Sequence, residues 1–168
     1  LIGTGGSSLG AKAIISLYEC NKIKFIENVD PVTIIQFFKR NENKNLGLII
    51  ISKSGETIEV LCLFDIIINY FKEGFDFINR TLIISDKKNS TLRNIASKYN
   101  IEVLDHDENI GGRFSCFSLT GLMPIHLNGT NSIKLKQFVD KNFKKLLLSK
   151  KENNDIFVTV MSEIIRKN

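Results

Sequence analysis

Three short stretches hold the residues whose types and spacing suit chemistry. The first opens the chain. LIGTGGSSLGAK, residues 1–12, sets Gly3, Gly5, Gly6 and Gly10 around Ser7 and Ser8. Glycines let the backbone come close to a ligand, and a helix starting behind such a loop offers unpaired N–H groups and a partial positive charge. That chemistry is anion binding. A tight strand-to-helix turn capped by serine uses the same residues. The second stretch is ISKSGETIEV, residues 51–60. Ser52, Ser54 and Thr57 supply three hydroxyls, and Gly55 permits a turn whose successive N–H groups form an anion nest. Several donors at one helix start match the several oxygens of a phosphate; helix capping by Ser54 and Thr57 is the plainer use. The third is ENIGGRFSCFSLTGL, residues 108–122, in which Arg113 follows two glycines. Its guanidinium suits a developing negative charge, or an ion pair with Asp105, Asp107 or Glu108.

These stretches need a scaffold that brings them to one side. Leu1-Ile2 reads as the end of a β-strand whose start is missing, which predicts a longer protein. KIKFIEN (22–28) reads as a short strand and PVTIIQFFKRN (31–41) as a helix, with Pro31 in its first turn and Asp30 as N-cap. LGLIIIS (46–52) is a continuous apolar run, the mark of a strand buried on both faces. A helix is predicted over 56–74, a strand over 81–86, a helix over 90–100 and a strand over 101–106. Alternating strands and helices predict a three-layer α/β/α sandwich with a mainly parallel sheet of about five strands. Right-handed crossovers then place every strand-to-helix loop on one edge of that sheet, where open parallel sheets bind ligands. This domain is expected to span 1–128. Two further helices, about 131–149 and 153–167, make 129–168 a helical extension.

Composition removes several alternatives. At 168 residues, with 43% hydrophobic and 24% charged, the chain suits one sizeable core. Cys20, Cys62 and Cys116 have no CxxC spacing and read as buried reduced thiols of a cytoplasmic protein. The longest apolar stretch, Val60 to Phe71, carries Asp65 and Asn69 and is too short to cross a bilayer, so no membrane partner is expected. The net charge of +5 gathers late, in KLKQFVDKNFKKLLLSKK, 134–151. With no aromatic-interleaved basic motif, that segment reads as an amphipathic helix, with Leu135, Phe138, Phe143 and Leu146 on its apolar side, rather than as a nucleic-acid surface. A Rossmann loop matches at Gly3 and Gly5 but meets Ser8 where its third glycine belongs; Glu27 could imitate its ribose-binding acid. No Walker loop is present, and no metal-ligand cluster.

The three stretches together resemble a known family. SKSGET is similar to the S-x-S-G-x-T motif with which sugar-isomerase (SIS) domains hold the phosphate of a phosphosugar. GTGGSSLG resembles a loop of the glucose-6-phosphate isomerase family, and ENIGGRFS resembles its signature of an acidic residue followed by x-apolar-G-G-R-[FY]-S. The resemblance covers essentially the whole chain, in the family's order. It implies a flavodoxin-like SIS fold and aldose–ketose isomerisation of glucose 6-phosphate and fructose 6-phosphate through a cis-enediol, with no cofactor. It also implies a phosphosugar partner and a homodimer.

By motif match, Ser7, Ser52, Ser54 and Thr57 would hold the phosphate, helped by the backbone of Lys53 and Gly55, with the Lys53 side chain left to solvent. Gly6 and Gly112 would line the sugar chain, and Arg113 would stabilise the oxyanion. Glu56 gains no catalytic role. The family's base is a glutamate well downstream; Glu152, Glu163, His106 and His126 match no family motif. His106 is expected as a polar loop residue and His126 as a packed one. The chain is therefore expected to be a fragment, with little or no binding and no turnover of its own. A non-catalytic phosphosugar-binding regulator on the same domain is the alternative, which Arg113 in its signature argues against.

Overall fold

The computed structural model describes residues 1–18, 22–41, 46–70 and 78–148, with the backbone alone for 144–148. In chain order these form α1 (Leu9–Ile15), α2 (Pro31–Asn41), β1 (Leu48–Ile51), α3 (Ile58–Tyr70), β2 (Thr81–Ser85), α4 (Thr91–Tyr99), β3 (Glu102–Asp105), α5 (Leu119–Leu127) and α6 (Ser132–Leu148). Short 3-10 turns cover Gly5–Ser7, Ile78–Arg80 and Gly112–Phe117.

The sheet follows from the apolar runs. All four residues of β1, LIII, are buried, as a strand covered on both faces requires. Its side chains alternate between two cores. Leu48 and Ile50 join Ile83, Val60, Leu63, Phe64, Leu92 and Phe38 on the side of α2, α3 and α4. Ile49 and Ile51 join Leu1, Ile84, Leu104, Leu119 and Met123 on the side of α5. Each such buried Ile or Leu contributes roughly 1.5–3 kcal/mol, so a charge at Ile50, which has no exposed surface, would disrupt the middle of the fold. The three layers are those the alternation predicts.

The strand count differs. Three parallel strands pair in the order β1-β2-β3, with Leu48 opposite Thr81 and Leu82 opposite Glu102. The expected first two strands are reduced to isolated parallel bridges of Ile2 with Ile26 and of Ile2 with Ile50. Ile2 N–H donates to the Ile49 carbonyl (2.8 Å), its carbonyl accepts from Ile51 (2.9 Å), and Ile26 N–H donates to the Leu1 carbonyl (2.9 Å). The chain leaves the sheet at Gly3, so this ladder is one residue deep, and among the described residues three strands form rather than about five.

Local signals act as expected at the helix ends. Asp30 Oδ2 accepts from Thr33 N–H at 2.8 Å, capping α2. Ser90 caps α4, and Asn100, in the left-handed conformation at φ 54°, ends it.

Residues Leu1–Thr130 and Asn131–Asn168 form two compact units. Within the second, Asn131 Oδ1 accepts from Lys134 N–H (3.0 Å) at the start of α6, and Lys136 pairs with Asp140 one turn on. The helix expected over 153–167, with Glu152 and Glu163, lies outside the described residues, as does Cys20. Cys62 is exposed and Cys116 half-buried, both as free thiols, so the expectation of buried cysteines does not hold for either. His126 is exposed rather than packed, whereas His106 is the expected polar loop residue after β3 and is buried there. Among the described residues no helix is long and apolar enough to cross a membrane.

Candidate functional site

The serine loop begins where β1 ends. Ser52 N–H donates to the Ile84 carbonyl at 3.1 Å, and the chain then turns toward α3. Ser52 is buried. Its hydroxyl lies 3.0 Å from Thr57 Oγ1 and accepts from Gly55 N–H at 3.1 Å, bracing the turn from beneath. Gly55 is required twice over. Its φ is +67°, and a Cβ there would stand 2.2 Å from Ser90 Oγ. Ser54 is exposed, its Oγ accepting from Glu56 N–H (3.2 Å). Among the described residues, the amides of Lys53, Ser54 and Thr57 donate no hydrogen bond. The loop therefore offers free N–H groups beside the start of α3, an arrangement that favours an anion.

Two contacts fix that loop. Glu56 reaches across to α4, where its carboxylate accepts from Thr91 N–H (2.6 Å) and Thr91 Oγ1 (2.8 Å). These bonds, the backbone one foremost, hold the Glu56 carboxyl below its ordinary pKa. Lys53 behaves differently from the sequence expectation. Its side chain does not run to solvent; Nζ donates to the carbonyls of Glu108 (2.9 Å) and Ile110 (2.8 Å), in the third stretch.

The opening loop is held as closely. Gly5, at φ +54°, starts its 3-10 turn. A Cβ on Gly6 would lie 2.3 Å from the Gly112 carbonyl oxygen, so the two glycines meet backbone to backbone. Ser115 Oγ donates to the carbonyls of Gly6 (3.2 Å) and Gly112 (2.7 Å), locking this contact. A Cβ on Gly3 would stand 3.4 Å from the Ile51 carbonyl oxygen, which sets the opening loop beside the end of β1. Ser8 is buried and donates to Glu27 Oε1 (2.7 Å), and Lys12 pairs with Glu27 Oε2. Burial alone would raise the Glu27 pKa; the bonds from Lys12 and Ser8 outweigh it and lower it. Glu27 thus anchors the opening helix. Ser7 Oγ has no hydrogen-bond partner among the described residues.

Arg113 stands exposed in the 3-10 turn, with no hydrogen bond or ion pair among the described residues. Two of the carboxylates close to it in sequence are occupied elsewhere. Asp105 pairs with Arg93 (2.6 Å) and Lys87 (3.6 Å), and Asp107 accepts from Asn109 N–H (2.9 Å). The three stretches are joined through Gly6 on Gly112 and through Lys53 on Glu108 and Ile110.

Two features escaped the sequence reading. Arg93 donates to the carbonyls of Asp86 and Ser85 as well as to Asp105, tying α4 to the strand ends. Beneath the loops, His106 Nδ1 lies 3.3 Å from Asp86 Oδ1 with both side chains buried. The two atoms face each other off the line a hydrogen bond needs, and neither has another partner among the described residues. Neither feature has a short-range signal, since each joins residues of different elements or of the loops that follow them. Among the described residues no metal-ligating cluster occurs. A cavity of about 150 Å³ lies at the amino end of β1, lined by Leu1, Lys24, Gly47, Leu48 and Ile67, and takes no part in this loop cluster.

A family model described as Phosphoglucose isomerase matches residues 1–162. The glucose-6-phosphate isomerase of Mycoplasma genitalium is 30% identical over 164 residues, covering 94% of this chain and 38% of the relative. That of Mycoplasma capricolum is 33% identical over 147 residues, covering 82% of this chain and 34% of the relative. The chain thus spans well under half the length of the curated relatives it matches. Among solved structures, a hypothetical protein from Thermus thermophilus superposes with a TM-score of 0.81 at 25% identity, over 97% of this chain and 40% of that one. A glucose-6-phosphate isomerase from Chlamydia trachomatis gives 0.63 at 27% identity, over 74% of this chain and 25% of that one.

Proposed function

The chain belongs to the phosphoglucose isomerase family, and from that premise we propose that it forms the phosphosugar-binding part of a glucose-6-phosphate isomerase. The observation that carries this reading is the uncommitted set of donors on one loop cluster: the amides of Ser54 and Thr57, the hydroxyl of Ser7 and the guanidinium of Arg113. The phosphate of fructose 6-phosphate or glucose 6-phosphate takes the amides at the start of α3 and the hydroxyls of Ser7, Ser54 and Thr57. Ser52 supports Thr57 and Gly55 from below. The sugar chain passes the bare backbone of Gly6 and Gly112. In the open-chain sugar, a base shifts a proton between C2 and C1, and the carbonyl oxygen becomes the oxyanion of a cis-enediolate. Arg113 stabilises that charge where it develops. A preorganised donor of this kind supplies roughly 3 kcal/mol.

The family resemblance assigns the base to a glutamate well downstream, and two carboxylates beside the loops are engaged otherwise, Glu27 with Lys12 and Ser8 and Glu56 with Thr91. The chain alone binds the phosphosugar weakly at most and does not turn it over. The reading includes a cytoplasmic homodimer and no cofactor, and it involves neither membrane nor nucleic acid.

The test is to titrate the full-length protein with fructose 6-phosphate while following backbone amide resonances, and to assay both the chain and the full-length protein with a coupled enzyme. Shifts at Ser54, Gly55 and Thr57 with turnover only at full length are expected. Unmoved loop amides, or a full-length protein inactive on both sugars, would overturn the assignment.

A further inference from the structure

We propose that Lys53 is a positioning residue, whose ammonium sets Arg113 against the sugar by pinning the segment just before it. The inference rests on the isomerase reading above.

The Lys53 backbone is fixed to the sheet, its carbonyl accepting from Asp86 N–H at 3.0 Å. From there the side chain crosses to the third stretch and collects two carbonyl oxygens, Glu108 at 2.9 Å and Ile110 at 2.8 Å. Between them the chain makes a tight turn, with Asn109 N–H on Asp107 Oδ1 (2.9 Å) and Ile110 N–H on the Asp107 carbonyl (3.1 Å). Gly111 and Gly112 follow at once, then Arg113. Two glycines leave the backbone before Arg113 free to swing, so its place depends on anchors either side. Downstream, Ser115 holds the Gly112 and Gly6 carbonyls. Upstream, Lys53 holds Ile110. No carboxylate pairs with Lys53 among the described residues, so the ammonium serves those carbonyls. An ammonium has three donors, and two are committed here. Because Lys53 also belongs to the anion loop, the group that receives the phosphate and the group that meets the reacting carbons share one side chain. A misplacement of about 1 Å at a reacting centre costs about 100-fold, which is the scale on which such an anchor acts.

In the full-length protein, Lys53→Met keeps the aliphatic stem and removes the ammonium. The expected result is a kcat lowered about tenfold or more with KM within about twofold, and partial recovery in Lys53→Arg, whose guanidinium also donates to carbonyls. Amide hydrogen exchange at Ile110 and Phe114 should quicken while that of α4 stays as in wild type, and affinity for inorganic phosphate should be kept. A raised KM with kcat preserved, or lost phosphate affinity, would make Lys53 a phosphate-binding cation and overturn the inference; so would an unchanged kcat. If Lys53→Met does not fold, Lys53→Gln and the exchange comparison in Lys53→Arg decide. A wild-type protein without turnover sinks the isomerase reading instead, and the exchange data still judge the anchor.

Discussion

Two arginines stand at the carboxyl edge of the sheet with opposite commitments. Arg93, on α4, is largely buried and gives its donors to the Asp86 and Ser85 carbonyls and the Asp105 carboxylate. Arg113 is exposed and gives them to nothing among the described residues. Composition cannot separate them. The structure does so by an inventory of partners. Asp105 is already taken by Arg93, so the cation left over is the one in the glycine turn. One arginine closes the strand ends, and the other is left unpartnered among the described residues, as the oxyanion role proposed for it requires.

Removing each arginine should fail in a different way. Arg113→Ala in the full-length protein should lower kcat on the order of 100- to 1000-fold, the effect of one lost oxyanion donor, with the unfolding midpoint unchanged. A loss of stability as large as that of the Arg93 variant would erase the contrast. Arg93→Met should do the reverse. It leaves the Ser85 and Asp86 carbonyls without their charged donor and Asp105 with only the more distant Lys87, and should destabilise the first unit by about 2 kcal/mol in urea, while turnover per folded molecule stays within a few-fold. The smallest effect concerns acid. Glu56 and Asp105 both have depressed pKa values, Glu56 through Thr91 and Asp105 chiefly through Arg93. Their contribution is therefore complete above the ordinary carboxylate range and is lost as pH falls through it and below. The stability gap between wild type and Glu56→Gln should be widest near neutrality and narrow on acidification; a gap independent of pH would show that the Thr91 contact carries no such linkage.

Much of this was legible in the sequence because it is local. The all-apolar run Leu48–Ile51 predicts a strand covered on both faces, and Asp30 before Pro31 predicts a capped helix. The hydroxyls and glycine of residues 52–57 predict a polar turn after a buried strand, which the structure contains. What was not legible joins distant residues. Lys53 to Ile110 and Glu56 to Thr91 depend on which strands lie side by side, and spacing carries no record of that. The same holds for the burial of His106, a loop residue after β3 that lies in the interior against Asp86, just beyond the end of β2. The two missing strands fail for a different reason. Ile2 and Ile26 have the right residue types, but Gly3 turns the chain away before a second pair can form.

The bare contact of Gly6 on Gly112 has a practical consequence for anyone re-engineering this protein. A methyl group on Gly6 has no room against the Gly112 backbone, though one on Gly112 would meet open space, and Ser115 ties both carbonyls, so the two turns are mechanically a single part made from two distant pieces of chain. A library that diversifies one must hold the other constant, and a transplant into a new scaffold has to carry both.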